Sequence, residues 1–201
     1  MCIRDSIETV AKYAMKTSLD LLPWLDKGFR IVSFVPSCSL MMKSEWPLLL
    51  PDDPNVKRLS ESTFDICEYI VDLAKNEGLS KGLKPLKGGV ALHISCHSRA
   101  QNMGQKAAEM LQNIPETSID VIERCSGHGG SWGVMKNNFE LAMKLGKPVI
   151  KKIEDSQKSF ISSECPLAGS HIAQGLEGKK ETTNQPQHSF HPIELLWKAY
   201  S

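Results

Sequence analysis

Short apolar segments alternate with amphipathic segments through the second half of the chain, and this alternation restricts the fold more than any other feature. Strands are predicted where apolar and β-branched residues run together, and helices where apolar residues recur every three or four positions. Such an alternation is typical of a parallel sheet whose crossover connections are helices. The predicted fold class is therefore α/β, with parallel-sheet modules and flanking helices.

The same criteria place the individual elements. Helices are predicted over residues 7–26, 39–50, 60–76, 99–113, 134–145 and 169–176, and from His191 to the end of the chain. Strands are predicted over residues 29–35, 90–95, 118–123 and 159–163.

A short internal repeat indicates two copies of one module. IVSFVPSCSL (31–40) and KSFISSECPL (158–167) share a strand and a cysteine followed two residues later by leucine. The opening residues, which include Cys2, look like translated adapter sequence, so we expect the C-terminal part of a longer protein. The expected parts are a truncated first module (7–77), a Gly- and Lys-rich linker (78–89), a second module (90–176), and a polar tail with an amphipathic helix (177–201).

Composition excludes several classes of function. The formal net charge of +1 leaves no basic surface for nucleic acid. No apolar run approaches the ~20 residues that a membrane-spanning helix needs, and no secretory segment opens the chain. We therefore expect a cytoplasmic protein. Peripheral attachment to the inner membrane face is the alternative.

Four of the six cysteines directly follow a predicted strand, namely Cys38, Cys96, Cys125 and Cys165. Parallel strands end at one edge of a sheet, so Cys96, Cys125 and Cys165 should converge there. Thiolates are soft ligands that suit iron–sulfur clusters or zinc. Cys67, by contrast, lies in the apolar pattern of a helix and is expected in the core.

Histidines and glycines crowd the same loops. His93, His97, His128 and His171 each lie within six residues of one of these cysteines. His97 and His128 are the candidates to complete a coordination shell or to donate a hydrogen bond to a cluster sulfur. In the loop that follows Cys125, Ser126 and the backbone of Gly127 offer further donors.

These cysteine motifs resemble the cysteine-rich domain whose signature is Cys, Cys-Cys-Gly and Cys-x-x-Cys. That domain occurs in tandem in the subunits designated B in heterodisulfide reductase and C in anaerobic glycerol-3-phosphate dehydrogenase. The resemblance covers nearly the whole chain after residue 6. It rests on PSCSLMMKSEWPLLLPDDP (36–54), HISCHSRAQNMGQK (93–106), ERCSGHGGSWG (123–133) and SSECPLAGSHIAQG (162–175).

The resemblance implies a ligand set with departures from the family pattern. Cys96 matches the first cysteine, Cys125 the first of the Cys-Cys-Gly pair, and Cys165 the first of the Cys-x-x-Cys pair. Cys38 matches the same position as Cys165, the first cysteine of the Cys-x-x-Cys pair, in the preceding domain. Three of the family's cysteines are replaced, by Ser126, Ala168 and, in the first module, Met41. Three cysteines could hold a cubane [4Fe–4S] cluster with one unusual ligand, or zinc with a histidine.

The function that the resemblance implies is electron transfer within an oxidoreductase complex. A flavoprotein or dehydrogenase subunit would supply electrons, and quinone, a membrane subunit or another acceptor would receive them. A zinc-binding or thiol-redox module is the alternative. A serine hydrolase is a more remote alternative. It is suggested by GGSWG, which matches the nucleophile-elbow pattern around Ser131, with Asp155 and His171 following in the order found in hydrolases.

Overall fold

The computed structural model describes residues 6–177 and 188–201, and its architecture is α/β with parallel sheets and flanking helices, as predicted. The described strands are β1 (Ile31–Ser33), β2 (Thr63–Asp65), β3 (Val90–His93), β4 (Ile119–Ile122), β5 (Phe160–Ser163) and β6 (Ser189–Phe190). Predicted features in residues 1–5 and 178–187, including Cys2 and most of the polar tail, lie outside the described residues.

The described helices flank these strands. They are α1 (Ile7–Asp26), α2 (Pro36–Leu40), a π-helical turn (Met41–Glu45), α3 (Trp46–Leu49), α4 (Pro54–Glu61), α5 (Ile66–Asn76), α6 (Cys96–Ala100), α7 (Lys106–Leu111), α8 (Phe139–Ser156), α9 (Pro166–Glu177) and α10 (Pro192–Tyr200). Among the described residues, no helix combines the length and apolar character needed to cross a membrane.

Two parallel sheets organise the chain. β1 pairs with β2, and the larger sheet has the order β4-β3-β5-β6 with every pairing parallel. β3 lies between β4 and β5, so that its last residue, His93, pairs with Ile122 on one side and Ser163 on the other. This register brings the carboxyl ends of three strands to one edge of the sheet.

The strand β2 was not predicted, because residues 60–76 show one continuous helical pattern. The structure divides that segment at Asp65, whose side chain accepts a hydrogen bond from the backbone N–H of Cys67 at 2.9 Å. The Glu68 carboxylate in turn accepts from the backbone N–H of Asp65 at 3.3 Å. This capping box starts α5 and leaves residues 63–65 free to pair with β1.

Other predicted helices differ in their limits. The helix predicted over 99–113 is divided into α6 and α7 near Gly104, which adopts a positive φ of 80°. The helix predicted over 134–145 begins later and runs from Phe139 to Ser156, with Pro148 inside it. The segment predicted as helix over 39–50 already begins at Pro36, because proline fits the first helical position.

The largest core cluster joins both halves of the chain. Cys67 of α5 is fully buried there, as its apolar pattern predicted, together with Leu92 of β3 and Leu111 of α7. The C-terminal helix packs into the same cluster through Leu195 and Leu196. The amphipathic helix predicted at the end of the chain thus docks against the core, with Trp197 on its outer face at 71% exposure.

Candidate metal centre

A cavity of about 690 Å³ opens at the carboxyl edge of the larger sheet. Cys96, Cys125 and Cys165 all line it, although they follow three different strands. The complete lining comprises Val35, Ser37, His93, Ser95, Cys96, His97, Cys125, Ser126, His128, Gly129, Gly130, Cys165, Pro166, Leu167 and Ala168. The structure therefore brings together the three cysteines that were expected to converge.

Cys96 begins the short helix α6. Ser95 caps this helix, since its hydroxyl accepts a hydrogen bond from the backbone N–H of Ser98 at 3.2 Å. The Cys96 side chain is exposed, and its Sγ lies 4.0 Å from Nδ1 of His97. The cap therefore fixes the backbone while leaving the thiol free to bind a ligand.

Cys125 lies in the loop between β4 and α8. The backbone N–H of Gly127 points at its sulfur, with a distance of 3.4 Å between the two heavy atoms. Gly127 has a φ of 84°, and a Cβ at this position would collide with the backbone of Ala142 and Gly146. Only glycine allows the loop to approach α8 this closely and to aim its N–H at the thiol.

Ser126 and His128 form a hydrogen-bonded pair beside Cys125. The Ser126 hydroxyl lies 2.9 Å from Nδ1 of His128, and Ser126 is buried. Burial lowers the pKa of His128, and neighbouring His171 and His97 lower it further. His128 therefore favours the neutral form, in which a ring nitrogen can act as a hydrogen-bond acceptor or a ligand.

Cys165 directly precedes helix α9. Burial raises the pKa of its thiol, and the backbone N–H groups of Ala168 and Leu167 oppose this rise. The Cys96 thiol raises the pKa of Cys165 further, because two nearby negative charges repel each other. A cation or an iron centre in the cavity would offset that repulsion.

Two buried polar residues support the loops that carry the cysteines. His93 is 1% exposed and contacts the backbone carbonyl of Arg124 and the hydroxyl of Ser163. The Glu164 carboxylate accepts a hydrogen bond from the backbone N–H of Ser95 at 3.1 Å. Burial raises the pKa of Glu164 to about 7. Neither role was predicted, because both depend on which strands are neighbours.

Cys38 does not line the cavity, although Val35 and Ser37, which closely precede it in the chain, do. Its side chain is exposed on α2. The repeat predicted Cys38 to be equivalent to Cys165, but the structure shifts this equivalence by three residues. Pro36 and Pro166 each begin a helix three residues after the last residue of a strand, so Cys38 corresponds to Ala168 and Val35 corresponds to Cys165. Met41 is therefore not the residue that replaces the last family cysteine.

His171, the last of the four histidines predicted near the cysteines, lies on α9 and does not line the cavity. It is buried and packs edge-on against Phe139, with ring centroids 6.1 Å apart. Within residues 6–177 and 188–201, no group of three or more His, Cys, Asp or Glu side chains is arranged to hold a single metal ion.

The segment around Ser131 does not have the geometry of a nucleophile elbow. Such an elbow is a sharp turn directly from a strand into a helix. Here β4 ends at Ile122 and α8 begins at Phe139, and Ser131 lies in the turns between them.

A family model matches the part of the chain that contains the three cavity cysteines. Residues 90–173 match the family model described as the cysteine-rich domain. These 84 residues are thus similar to a cysteine-rich domain. The matched segment includes all three cavity cysteines, and it runs from the first residue of β3 into α9.

Curated relatives extend the similarity beyond the cysteine-rich domain. In Escherichia coli K12, the subunit designated C of anaerobic glycerol-3-phosphate dehydrogenase is 25% identical over 86% of this chain and 41% of its own length. An uncharacterized iron-sulfur protein of Methanocaldococcus jannaschii is 28% identical over 89% of this chain and 33% of its own. In Methanosarcina barkeri, the subunit designated D of dihydromethanophenazine:CoB–CoM heterodisulfide reductase is 25% identical over 87% of this chain and 42% of its own length. The chain spans about two fifths or less of these relatives.

Proposed function

We propose that this chain is the cluster-binding part of an iron–sulfur electron-transfer subunit. Cys96, Cys125 and Cys165 would hold one cluster of the [4Fe–4S] type in the cavity. The observation that carries this proposal is the convergence of three thiols, from three separate strand ends, on one cavity. The names of the relatives, which include an iron-sulfur protein and subunits of a dehydrogenase and a reductase, support it.

The residues in the cavity fit such a group by their chemistry. Thiolates are the usual ligands of iron–sulfur clusters, and hydrogen bonds to sulfur tune the reduction potential. The N–H of Gly127 already points at the Cys125 sulfur, and the cavity presents mostly apolar groups beyond its cysteines and histidines. When bound, the cluster would supply one-electron transfer.

The surrounding side chains would orient and tune the centre. Ser126 stands where the family has a second cysteine, and its hydroxyl pairs with His128. We propose that Ser126, Gly127, His128 and His97 contact the cluster as donors or as its one unusual ligand. Replacing Ser126 with alanine should keep iron bound and shift the potential modestly, whereas Ser126→Cys should lower the potential by adding a thiolate.

The names of two relatives, a dehydrogenase subunit and a reductase subunit, support partner subunits in general. We propose that a dehydrogenase or flavoprotein subunit supplies electrons to this chain. Quinone, a membrane subunit or another acceptor would then receive them. Such a subunit would not turn over substrate alone.

Anaerobic reconstitution with ferrous iron and sulfide tests the proposal. We expect about four irons and four acid-labile sulfides per chain, with an EPR signal after reduction, as a [4Fe–4S] cluster requires. A chain that instead takes up zinc without sulfide would replace the electron-transfer proposal with the zinc-binding alternative.

A further inference from the structure

We propose that His93 is a positioning residue that holds the Cys125 loop and the Cys165 loop together at the cavity. This inference rests on the proposed function, in which both cysteines are ligands. It assigns to His93 a role that differs from metal binding, although the side chain lines the cavity.

The position of His93 in the sheet makes this role possible. It is the last residue of the central strand β3, and it pairs with Ile122 of β4 and Ser163 of β5. Cys125 follows β4 by three residues, and Cys165 follows β5 by two. His93 therefore lies between the two strands whose ends carry these cysteines.

The hydrogen bonds of the ring fix its tautomer. Nε2 lies 2.8 Å from the carbonyl oxygen of Arg124, and a carbonyl can only accept, so Nε2 carries the proton. Burial lowers the pKa of His93, which keeps the ring neutral. Nδ1 must then accept from the hydroxyl of Ser163, which lies 2.9 Å away.

The same hydroxyl continues the chain of hydrogen bonds. Ser163 Oγ accepts from the backbone N–H of Cys165 at 3.4 Å while it donates to His93. The result is a directed path from the Cys165 backbone through Ser163 and His93 to Arg124, the residue before Cys125. Both ring nitrogens are occupied, so His93 could ligate a metal only by breaking one of these bonds.

We call the His93 ring with its hydrogen bonds to Ser163 and Arg124 the bridge, and each of the two bonds an arm. Two substitutions separate these arms. Asparagine places an acceptor near the position of Nδ1, so His93→Asn can keep the bond with Ser163 and lose the bond with Arg124. Glutamine reaches the position of Nε2, so His93→Gln can keep the bond with Arg124 and lose the other. His93→Ala removes both hydrogen bonds, and Ser163→Ala removes the bond between Ser163 and His93 by changing the other partner. His188 is exposed, so His188→Asn is the matched control.

The first measurement needs no metal. Dibromobimane links two thiols only when they lie close together, and mass spectrometry identifies the Cys125–Cys165 product. We expect this cross-link in the parent chain and in His188→Asn. Its yield should fall several-fold in His93→Ala and to intermediate levels in His93→Asn, His93→Gln and Ser163→Ala.

The second measurement uses the reconstituted chain. We expect a shifted midpoint potential and a heterogeneous EPR signal in His93→Ala, with partial recovery in the asparagine and glutamine variants. Where the alanine variant does not fold, His93→Asn and His93→Gln carry the test alone. Parent-like cross-linking and an unchanged potential in both would overturn the proposal, as would a parent chain without the cross-link.

The two measurements also separate this inference from the proposed function. A parent chain that cross-links but takes up no iron, with reduced cross-linking in the His93 variants, would support the bridge and reject the cluster. A parent chain that takes up iron, with variants identical to it in both measurements, would support the cluster and reject the bridge.

Discussion

Cys38 and Ala168 occupy the same position in two different helices. Each is the third residue of a helix that begins with proline, and each proline comes three residues after the last residue of a parallel strand. Ala168 lines the cavity and is 1% exposed, whereas Cys38 is exposed outside its lining. The second module therefore has a cysteine before its proline, and the first has one after it. Between them they contain both halves of a Cys-x-x-Cys pair.

Restoring the missing cysteine should strengthen the site. In Ala168→Cys, a thiol would be added one helical turn from Cys165, at a position that already faces the cavity. We expect the reconstituted variant to retain iron longer against a chelator and to have a lower reduction potential, because a further thiolate adds negative charge. Ser170→Cys adds an exposed thiol on the same helix and should behave like the parent. Equal iron retention in all three chains would contradict this prediction.

Cys38 should react freely whether or not metal is bound. It is exposed, whereas Cys67 is fully buried and its thiol pKa is raised, first by burial and then by Asp65 and Glu164. Iodoacetamide labelling followed by peptide mapping should modify Cys38 at least ~100-fold faster than Cys67, because the thiolate is the reacting species. After reconstitution, Cys96, Cys125 and Cys165 should become protected while Cys38 does not. Protection of Cys38 together with those three would assign it to the same centre.

The C-terminal helix should contribute to stability through one face only. Leu195 is fully buried and Trp197 is 71% exposed, although they are two residues apart. Leu195→Ala should lower the free energy of unfolding by about 2–5 kcal/mol. Trp197→Ala should change it by no more than about 0.5 kcal/mol. Urea denaturation of both variants measures the difference, and a larger effect for Trp197 would contradict the packing described above.

Glu164 should make the metal-free chain less stable as the pH rises. Its pKa is about 7 in the folded chain and 4.5 ordinarily, so between these values the folded state keeps a proton that the unfolded state releases. The free energy of unfolding therefore falls through this window. Glu164→Gln should be more stable than the parent at pH 8, on the order of 2 kcal/mol, with little gain at pH 4. The exposed Glu77→Gln is the control, and an equal effect of Glu164→Gln at both pH values would contradict the assignment.

Part of the fold could be predicted because local patterns decide it. Helix α1 has its predicted limits, since Ser6 caps an amphipathic segment and the helix ends two residues before Gly28. The strand β2 could not be predicted, because three residues inside a helical pattern become a strand only by pairing with β1. Likewise, α8 extends past residue 145 because its apolar residues Val149, Ile150 and Ile153 reach the core.

The site shows the same division. The convergence of Cys96, Cys125 and Cys165 could be predicted, since parallel strands place their carboxyl ends at one edge. The His93 bridge could not, because it depends on β3 lying between β4 and β5. The equivalence of Cys38 was predicted wrongly, since the repeat was aligned on the cysteines, whereas the structure aligns the prolines that begin the helices.

The most direct test of the account is the iron and sulfide content of single cysteine variants after anaerobic reconstitution. Cys96→Ala, Cys125→Ala and Cys165→Ala should each lose most of the bound iron and the EPR signal. Cys38→Ala, which removes an exposed thiol outside the cavity lining, should match the parent chain. If the three cavity variants instead keep the full iron content and spectrum of the parent, these cysteines are not the ligands and the account is wrong.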